Sequence, residues 1–201
     1  MKLYYLQGAC SLAVHIVLEW IGQPYEAQSI THDELKSPEF LALNPSGSVP
    51  VLRDEDLLLT QSTAILQYLA EKYPESHLLG SDLTARAETR RWLGLVNSDV
   101  HRVFGLFFTW SNYVDENGKE AFLQKAQGQL GGYLSILNEQ LKGKDYLTGH
   151  RSIADAYLWV TLNWTFFLKL NLSAYPELVR FYENLAQDAG VQAALKQEGL
   201  A

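Results

Sequence analysis

Near its start the sequence has a short β-rich run, Lys2 to Leu6, which Gln7-Gly8 breaks. From Cys10 to about Ile21 the residues become helix formers, and Ser11, His15, Glu19 and Gln23 recur at every fourth position. Those four make one narrow polar stripe. Leu12, Val14, Ile16, Val17, Leu18, Trp20 and Ile21 cover the rest of the surface, so the pattern predicts a helix buried against a sheet. Gly22 and Pro24 end it.

The next segment, YEAQSI from Tyr25, reads as a second strand, and SPEFLAL from Ser37 as a short helix. VPVLRD and DLLLT read as two strands joined by a tight acidic turn, and QSTAILQYLAEKY from Gln61 as another helix. Strands alternating with helices imply a parallel pair, and the late hairpin adds an antiparallel edge, which together make a small α/β layer structure. Residues 74–83 carry Pro, Gly, Ser and Asp and read as a linker. Beyond it the patterning is helical: a long segment from about Thr84 to Tyr113, another from about Lys119 to Leu141, one opening at Ser152, and shorter ones near Tyr175 and Gly190. Ser152 and Asp155 form a capping-box variant at the start of the third. There is no internal repeat and no low-complexity segment.

Composition adds limits to this picture. With 201 residues, 47% hydrophobic and 19% charged, the chain is long enough to bury a core without disulfide or metal staples. A net charge of -7 argues against nucleic acid as the main partner, because phosphate binding needs clustered basic residues. The single cysteine cannot form an internal disulfide and fits a reducing compartment. No signal-peptide run opens the chain and no stretch approaches the ~20 apolar residues of a membrane span, so the expectation is a cytoplasmic protein off the membrane.

Four features could carry chemistry, and each has a plainer alternative. Cys10 stands at a helix start, where free amides and the macrodipole favour a reactive thiolate, but a lone cysteine is also a good small core residue. Position 13 is Ala, so any dithiol chemistry must borrow its second thiol from outside. Val49-Pro50 precedes a strand, where a cis bond in a turn would leave the Val49 backbone free to pair with an extended ligand; an edge-strand proline is the other reading. Gln61-Ser62 opens a helix and could hold a carboxylate or simply cap it. His101 lies mid-helix, where a lone histidine is more often structural than catalytic. The other histidines, at 15, 32, 77 and 150, show no metal-ligand spacing, and no metal is expected.

Taken together, KLYY..GACSLA.HI, NP.G.VPVL, LLTQS.AI..YL and S.ADAY, followed by an EGL tail, resemble the cytosolic glutathione transferases, and the cysteine in the first motif resembles their bacterial beta class. The resemblance covers nearly the whole chain. It implies the glutathione transferase fold: a thioredoxin-like α/β N-terminal domain over residues 1–77 that binds glutathione, then an all-α helical domain over 84–201 with a second-substrate pocket. It also implies a homodimer that conjugates the glutathione thiolate to small apolar electrophiles. Cys10-dependent thiol–disulfide exchange is a second activity to weigh, and a non-catalytic protein that binds glutathione or apolar ligands is the rival reading.

By the same resemblance Cys10 contacts glutathione, Val49 before cis-Pro50 pairs with its cysteinyl part, and Gln61 and Ser62 hold its γ-glutamyl end. His101 matches the histidine that approaches the thiol, Asp99 sits where a partner subunit meets the γ-glutamyl amine, Lys36 is the candidate for the glycyl carboxylate, and Tyr5 matches a family tyrosine with a possible catalytic role. Phe104, Phe107, Phe108, Trp110 and Trp164 are candidates for the second-substrate pocket, with helix core as the alternative for each. Two positions depart from the pattern: Gln7 replaces a proline usual before the glycine, and Gly94 falls where the class often has a polar ligand contact.

Overall fold

In the computed structural model, which describes residues 1–201, strand β1 (Lys2–Tyr5) is an inner strand of a four-stranded sheet ordered β2-β1-β3-β4. It pairs in parallel with β2 (Glu26–Ser29), and antiparallel with β3 (Val51–Asp54), which forms a hairpin with β4 (Leu57–Thr60). The expected parallel pair and antiparallel edge are both present. Alternation sets the two faces of β1 and β3: Leu3 and Leu52 join the main core, while Tyr4 and Val51 join Ile30 and Phe40 in a smaller one on the other face. Phe40 belongs to α2 (Pro38–Leu43), which Ser37 caps by accepting from the Phe40 amide.

Helices α1 (Ser11–Ile21) and α3 (Ser62–Lys72) pack together against the main-core face, where Leu12, Ile16, Ile65, Leu66 and Leu69 have no exposed surface. Helix α1 also packs on α7 (Ile153–Phe167) and α9 (Ala189–Gln197), so one continuous core runs from the sheet into the helical half. Gly190 makes the α1–α9 approach possible: a Cβ there would lie 2.5 Å from Cδ1 of Trp20. Asp188 ties the same corner, accepting from the indole of Trp20 and from the amides of Gly190 and Val191.

The helical half differs from expectation in one place. A single helix to Tyr113 is replaced by α4 (Leu83–Leu95), a π-helical turn (Val96–His101), α5 (Arg102–Phe108) and a 3₁₀ turn (Trp110–Asn112). Hydrophobic periodicity does not register a local widening of the helix, and the Thr109 hydroxyl bonding the Gly105 carbonyl accompanies the early end of α5. Helices α6 (Lys119–Gln140) and α8 (Pro176–Ala186) complete the bundle. The capping box at α7 forms as expected and reaches further: Asp155 accepts from the Ser152 amide and hydroxyl and from the Leu147 amide. No helix is long and apolar enough to cross a membrane.

Candidate active site

The loop from Leu6 to Cys10 delivers the cysteine to the first turn of α1. Gly8 has φ +69°, a left-handed conformation that suits glycine, and both of its backbone polar groups are held by the helical half. Its amide donates to Oε2 of Glu198 at 2.8 Å, and its carbonyl accepts from Nε1 of Trp164 at 2.9 Å. Gln7, at the position where a proline was expected, donates from Nε2 to the carbonyl oxygens of Glu198 and Gly199 at 2.7 and 3.3 Å. The departure therefore adds a contact that proline could not make.

The polar stripe of α1 explains why that segment stays in place. His15, fully buried, places Nδ1 2.9 Å from Oε1 of Glu198 and Nε2 3.0 Å from Oε1 of Gln197. Glu19 bonds Tyr25 and Gln197. The buried polar groups of the stripe need protein partners: the Leu6 backbone supplies them for Ser11, and Gln197 and Glu198 for His15.

At the end of this loop the Cys10 thiol donates to the carbonyl of Val49 at 3.4 Å. Burial pushes the thiol above its ordinary pKa, against the opposing effect of the Ser62 hydroxyl and the amides of residues 10 and 11. Of the two readings of Cys10, a ready thiolate or a small core residue, this favours the thiol form: desolvation outweighs the hydrogen bonds that would stabilise the thiolate. Cys10 is instead a hydrogen-bond donor.

The Val49–Pro50 peptide is cis, and Val49 leaves its amide without a backbone partner beside β3. Ser62, buried, opens α3, and exposed Gln61 precedes it with φ +71°, so both stand at the helix N-terminus. Lys36 is exposed at the end of a 3₁₀ turn (Glu34–Lys36) whose Leu35 carbonyl lies 3.1 Å from where a Cβ of Gly47 would be. The turn thus borders the loop leading to Val49.

From the helical half, the π-turn brings His101 and Asp99 to different neighbours. Nδ1 of His101 lies 2.7 Å from the Tyr157 hydroxyl, which donates to Oδ1 of Asn97 at 3.0 Å, and burial lowers the pKa of the imidazole. Asp99 accepts from Tyr133 at 3.1 Å and from Ser98 at 3.0 Å. Gly94, with open space where a side chain would stand, gives its carbonyl to the Ser98 hydroxyl at 2.7 Å. Asn97, Tyr157, Tyr133, Gln197 and Glu198 were not foreseen. Only the stripe on α1 offered a signal, for Gln197 and Glu198.

Two expected residues are placed elsewhere. Tyr5 directs its hydroxyl to the Gln197 carbonyl at 3.4 Å and its ring against His15, so it belongs to the packing under the loop and has no catalytic placement. Trp110 leaves the aromatic group and lies under the Lys119 ammonium, 4.1 Å from its ring. Phe104, Phe107, Phe108 and Trp164 do cluster, with Trp164 also 4.9 Å from the His101 ring, but Phe104 is fully buried core. Phe108, 46% exposed, presents the open edge of that cluster. No three His, Cys, Asp or Glu side chains come together as a metal site.

Two family models match the chain: the glutathione S-transferase N-terminal domain over residues 6–77 and the glutathione S-transferase C-terminal domain over residues 97–188. Glutathione S-transferase GST-4.5 of Xanthomonas campestris is 42% identical, over 100% of both chains. Among solved structures, a glutathione S-transferase from Xylella fastidiosa superposes with a TM-score of 0.96 at 43% identity, covering 100% of this chain and 99% of that one. A sphingomonad glutathione S-transferase complexed with glutathione gives 0.86 at 35% identity over 100% of both.

Proposed function

Because the chain belongs to the glutathione S-transferase family, we propose that it binds glutathione along Cys10, Val49, Gln61 and Ser62 and conjugates its thiolate to small apolar electrophiles. The observation that carries this reading is the Cys10 thiol donating to the Val49 carbonyl. A ligand amide that pairs with Val49 competes for that carbonyl and releases the S–H to face the ligand's own sulfur. Cys10 then stabilises a second thiolate as a donor and need not ionise itself.

The magnitudes are sufficient. Lowering the glutathione thiol from about 8.5 to about 6.5 needs roughly 2.7 kcal/mol of differential stabilisation. A helix N-terminus supplies about 0.3–2 kcal/mol, and one hydrogen bond to a charged group about 1.5–3 kcal/mol. His101, kept neutral by burial, takes the thiol proton. Gln61 and Ser62 at the start of α3 hold the γ-glutamyl carboxylate, and Lys36 meets the glycyl carboxylate. The edge around Phe108 and Trp164 receives the apolar electrophile.

A homodimer is part of the reading. Its support is a groove of about 470 Å³ lined by Arg91, Trp92, Ser135, Ile136, Glu139 and Gln140, with the buried Trp92 indole N–H unpartnered and Ile136 49% exposed. Asp99 lines an adjoining groove with Trp92 and Ile136, which suits a residue that serves the neighbouring subunit's glutathione. An unpaired cysteine favours a reducing, cytoplasmic setting.

The testing experiment measures conjugation of glutathione to an activated aryl halide by the protein and by Cys10→Ala. Turnover that survives the substitution supports conjugation by the glutathione thiolate. Turnover that vanishes in Cys10→Ala, with exchange of glutathionyl disulfides vanishing too, makes Cys10 the nucleophile instead. Glutathione binding without either reaction returns the binding-protein reading. Light scattering reads the dimer: wild type at twice the monomer mass and Ile136→Glu at the monomer mass.

A further inference from the structure

Beside the proposed thiol site, His101 is joined to two side chains that the reading above does not use, Tyr157 and Asn97. An inference from this assembly rests on that reading for its chemistry. Tyr157 is fully buried on α7, and its hydroxyl meets two side chains four residues apart on the π-turn, Asn97 Oδ1 at 3.0 Å and His101 Nδ1 at 2.7 Å. A phenol has a single proton. With that proton donated to Asn97, the oxygen can only accept from the imidazole, so Nδ1 must carry hydrogen. In the neutral ring the lone pair is then on Nε2, which has no partner in the chain and is not among the buried polar atoms left unpaired.

The surroundings favour this arrangement. Burial raises the Tyr157 phenol and lowers the His101 imidazole, so both stay neutral near pH 7. Trp164, which packs on the His101 ring, donates to the Gly8 carbonyl at 2.9 Å and so links the assembly to the loop that carries Cys10. The His101 ring is further fixed by Trp164, 4.9 Å away. A tyrosine used only to fill the core would need one partner or none; this one joins two polar side chains of a locally widened helix, a feature frequent at functional sites.

We propose that Tyr157, held by Asn97, is a positioning residue that fixes His101 in the Nδ1–H tautomer and presents the Nε2 lone pair to the thiol of bound glutathione. The S–H bond breaks with its electron pair remaining on sulfur, the N–H bond forms at Nε2, and the imidazolium later returns that proton to water. Nothing is oxidised or reduced, and Tyr157 keeps its own proton throughout.

The test is ¹⁵N NMR of histidine-labelled protein, with the His101 signal assigned by His101→Gln, together with steady-state kinetics. Wild-type protein should show His101 protonated at Nδ1, and Tyr157→Phe, which preserves volume, should move hydrogen to Nε2. In that variant kcat should fall about 10-fold or more while KM for glutathione changes less than about 2-fold, since the binding contacts remain. Asn97→Ala, which frees the phenol proton, should shift the tautomer in the same direction and serves if the phenylalanine variant is poorly folded. An Nε2–H tautomer in wild type, or a tautomer and kcat unmoved in both variants, would overturn the proposal. A Tyr157-dependent Nδ1–H tautomer in a protein without glutathione turnover would support the positioning and remove the glutathione reading instead.

Discussion

Glu198 and Gly8, 190 residues apart, share a hydrogen bond of 2.8 Å, and the other oxygen of the same buried carboxylate meets His15 at 2.9 Å. One side chain thus holds the loop that ends at Cys10 and the helix that follows it. Glu198→Ala leaves the Gly8 amide and Nδ1 of His15 unpaired, at about 1–3 kcal/mol each. The expected loss is about 2–6 kcal/mol, which for a chain of this size lowers Tm by on the order of 10 °C. Glu198→Gln, whose amide oxygen can still accept from Gly8, should retain a substantial part of that stability. Thermal unfolding of the two variants measures the difference; equal loss in both would show that Gly8 does not depend on this contact.

Cys10 should label slowly. Its thiol sits above the ordinary 9.0 because burial opposes ionisation, so alkylation by iodoacetamide in the protein alone should stay low through neutral pH and climb only as the pH passes about 9. The same titration on urea-unfolded protein should rise earlier. A labelling midpoint at or below pH 7 in the folded protein would return Cys10 to the role of standing thiolate.

His101 gives a pH dependence of stability with a defined sign. Burial lowers its folded-state pKa below the usual 6.5, so between those two values the unfolded chain binds more protons than the folded one. Its contribution is complete above about pH 6.5 and declines as the pH falls toward the folded value. Wild type should therefore lose stability on acidification through this window more steeply than His101→Gln. Parallel denaturant titrations at several pH values test it, and identical slopes would place the His101 pKa at its unfolded value.

Trp164 offers a milder perturbation of the same loop. Trp164→Phe keeps an aromatic ring beside His101 and Phe104 but removes the 2.9 Å donor to the Gly8 carbonyl. We expect about 0.5–1.5 kcal/mol of lost stability and a raised KM for glutathione, read from thermal melts and initial rates. A KM unchanged while stability falls would separate the loop from ligand binding.

Much of the fold was legible from local pattern. The β1–α1–β2 order, the β3–β4 hairpin and the α7 capping box each follow from residues close in sequence, where periodicity and turn chemistry act. The motifs around Cys10, Val49 and Ser62 were legible for the same reason. The π-turn was not, because Val96–His101 keeps a helical hydrophobic pattern while its backbone widens. Tyr157 was hidden among the buried residues of α7, since its environment is made by Asn97 and His101 some sixty positions away. The placement of Tyr5 was not legible either, because its match to a family tyrosine does not tell that its hydroxyl meets the Gln197 carbonyl and its ring His15, contacts made across the fold.

The hold of Glu198 on Gly8 also sets an order of events during synthesis. The loop that presents Cys10 is made before the carboxylate that fixes it, which follows 190 residues later, roughly 10–40 s at ordinary elongation rates. Throughout that interval His15 has no Glu198 to face and the Gly8 amide no carboxylate to bond. The sheet and its two packed helices can assemble before that, but the cysteine loop reaches its final geometry only once Glu198 has been made.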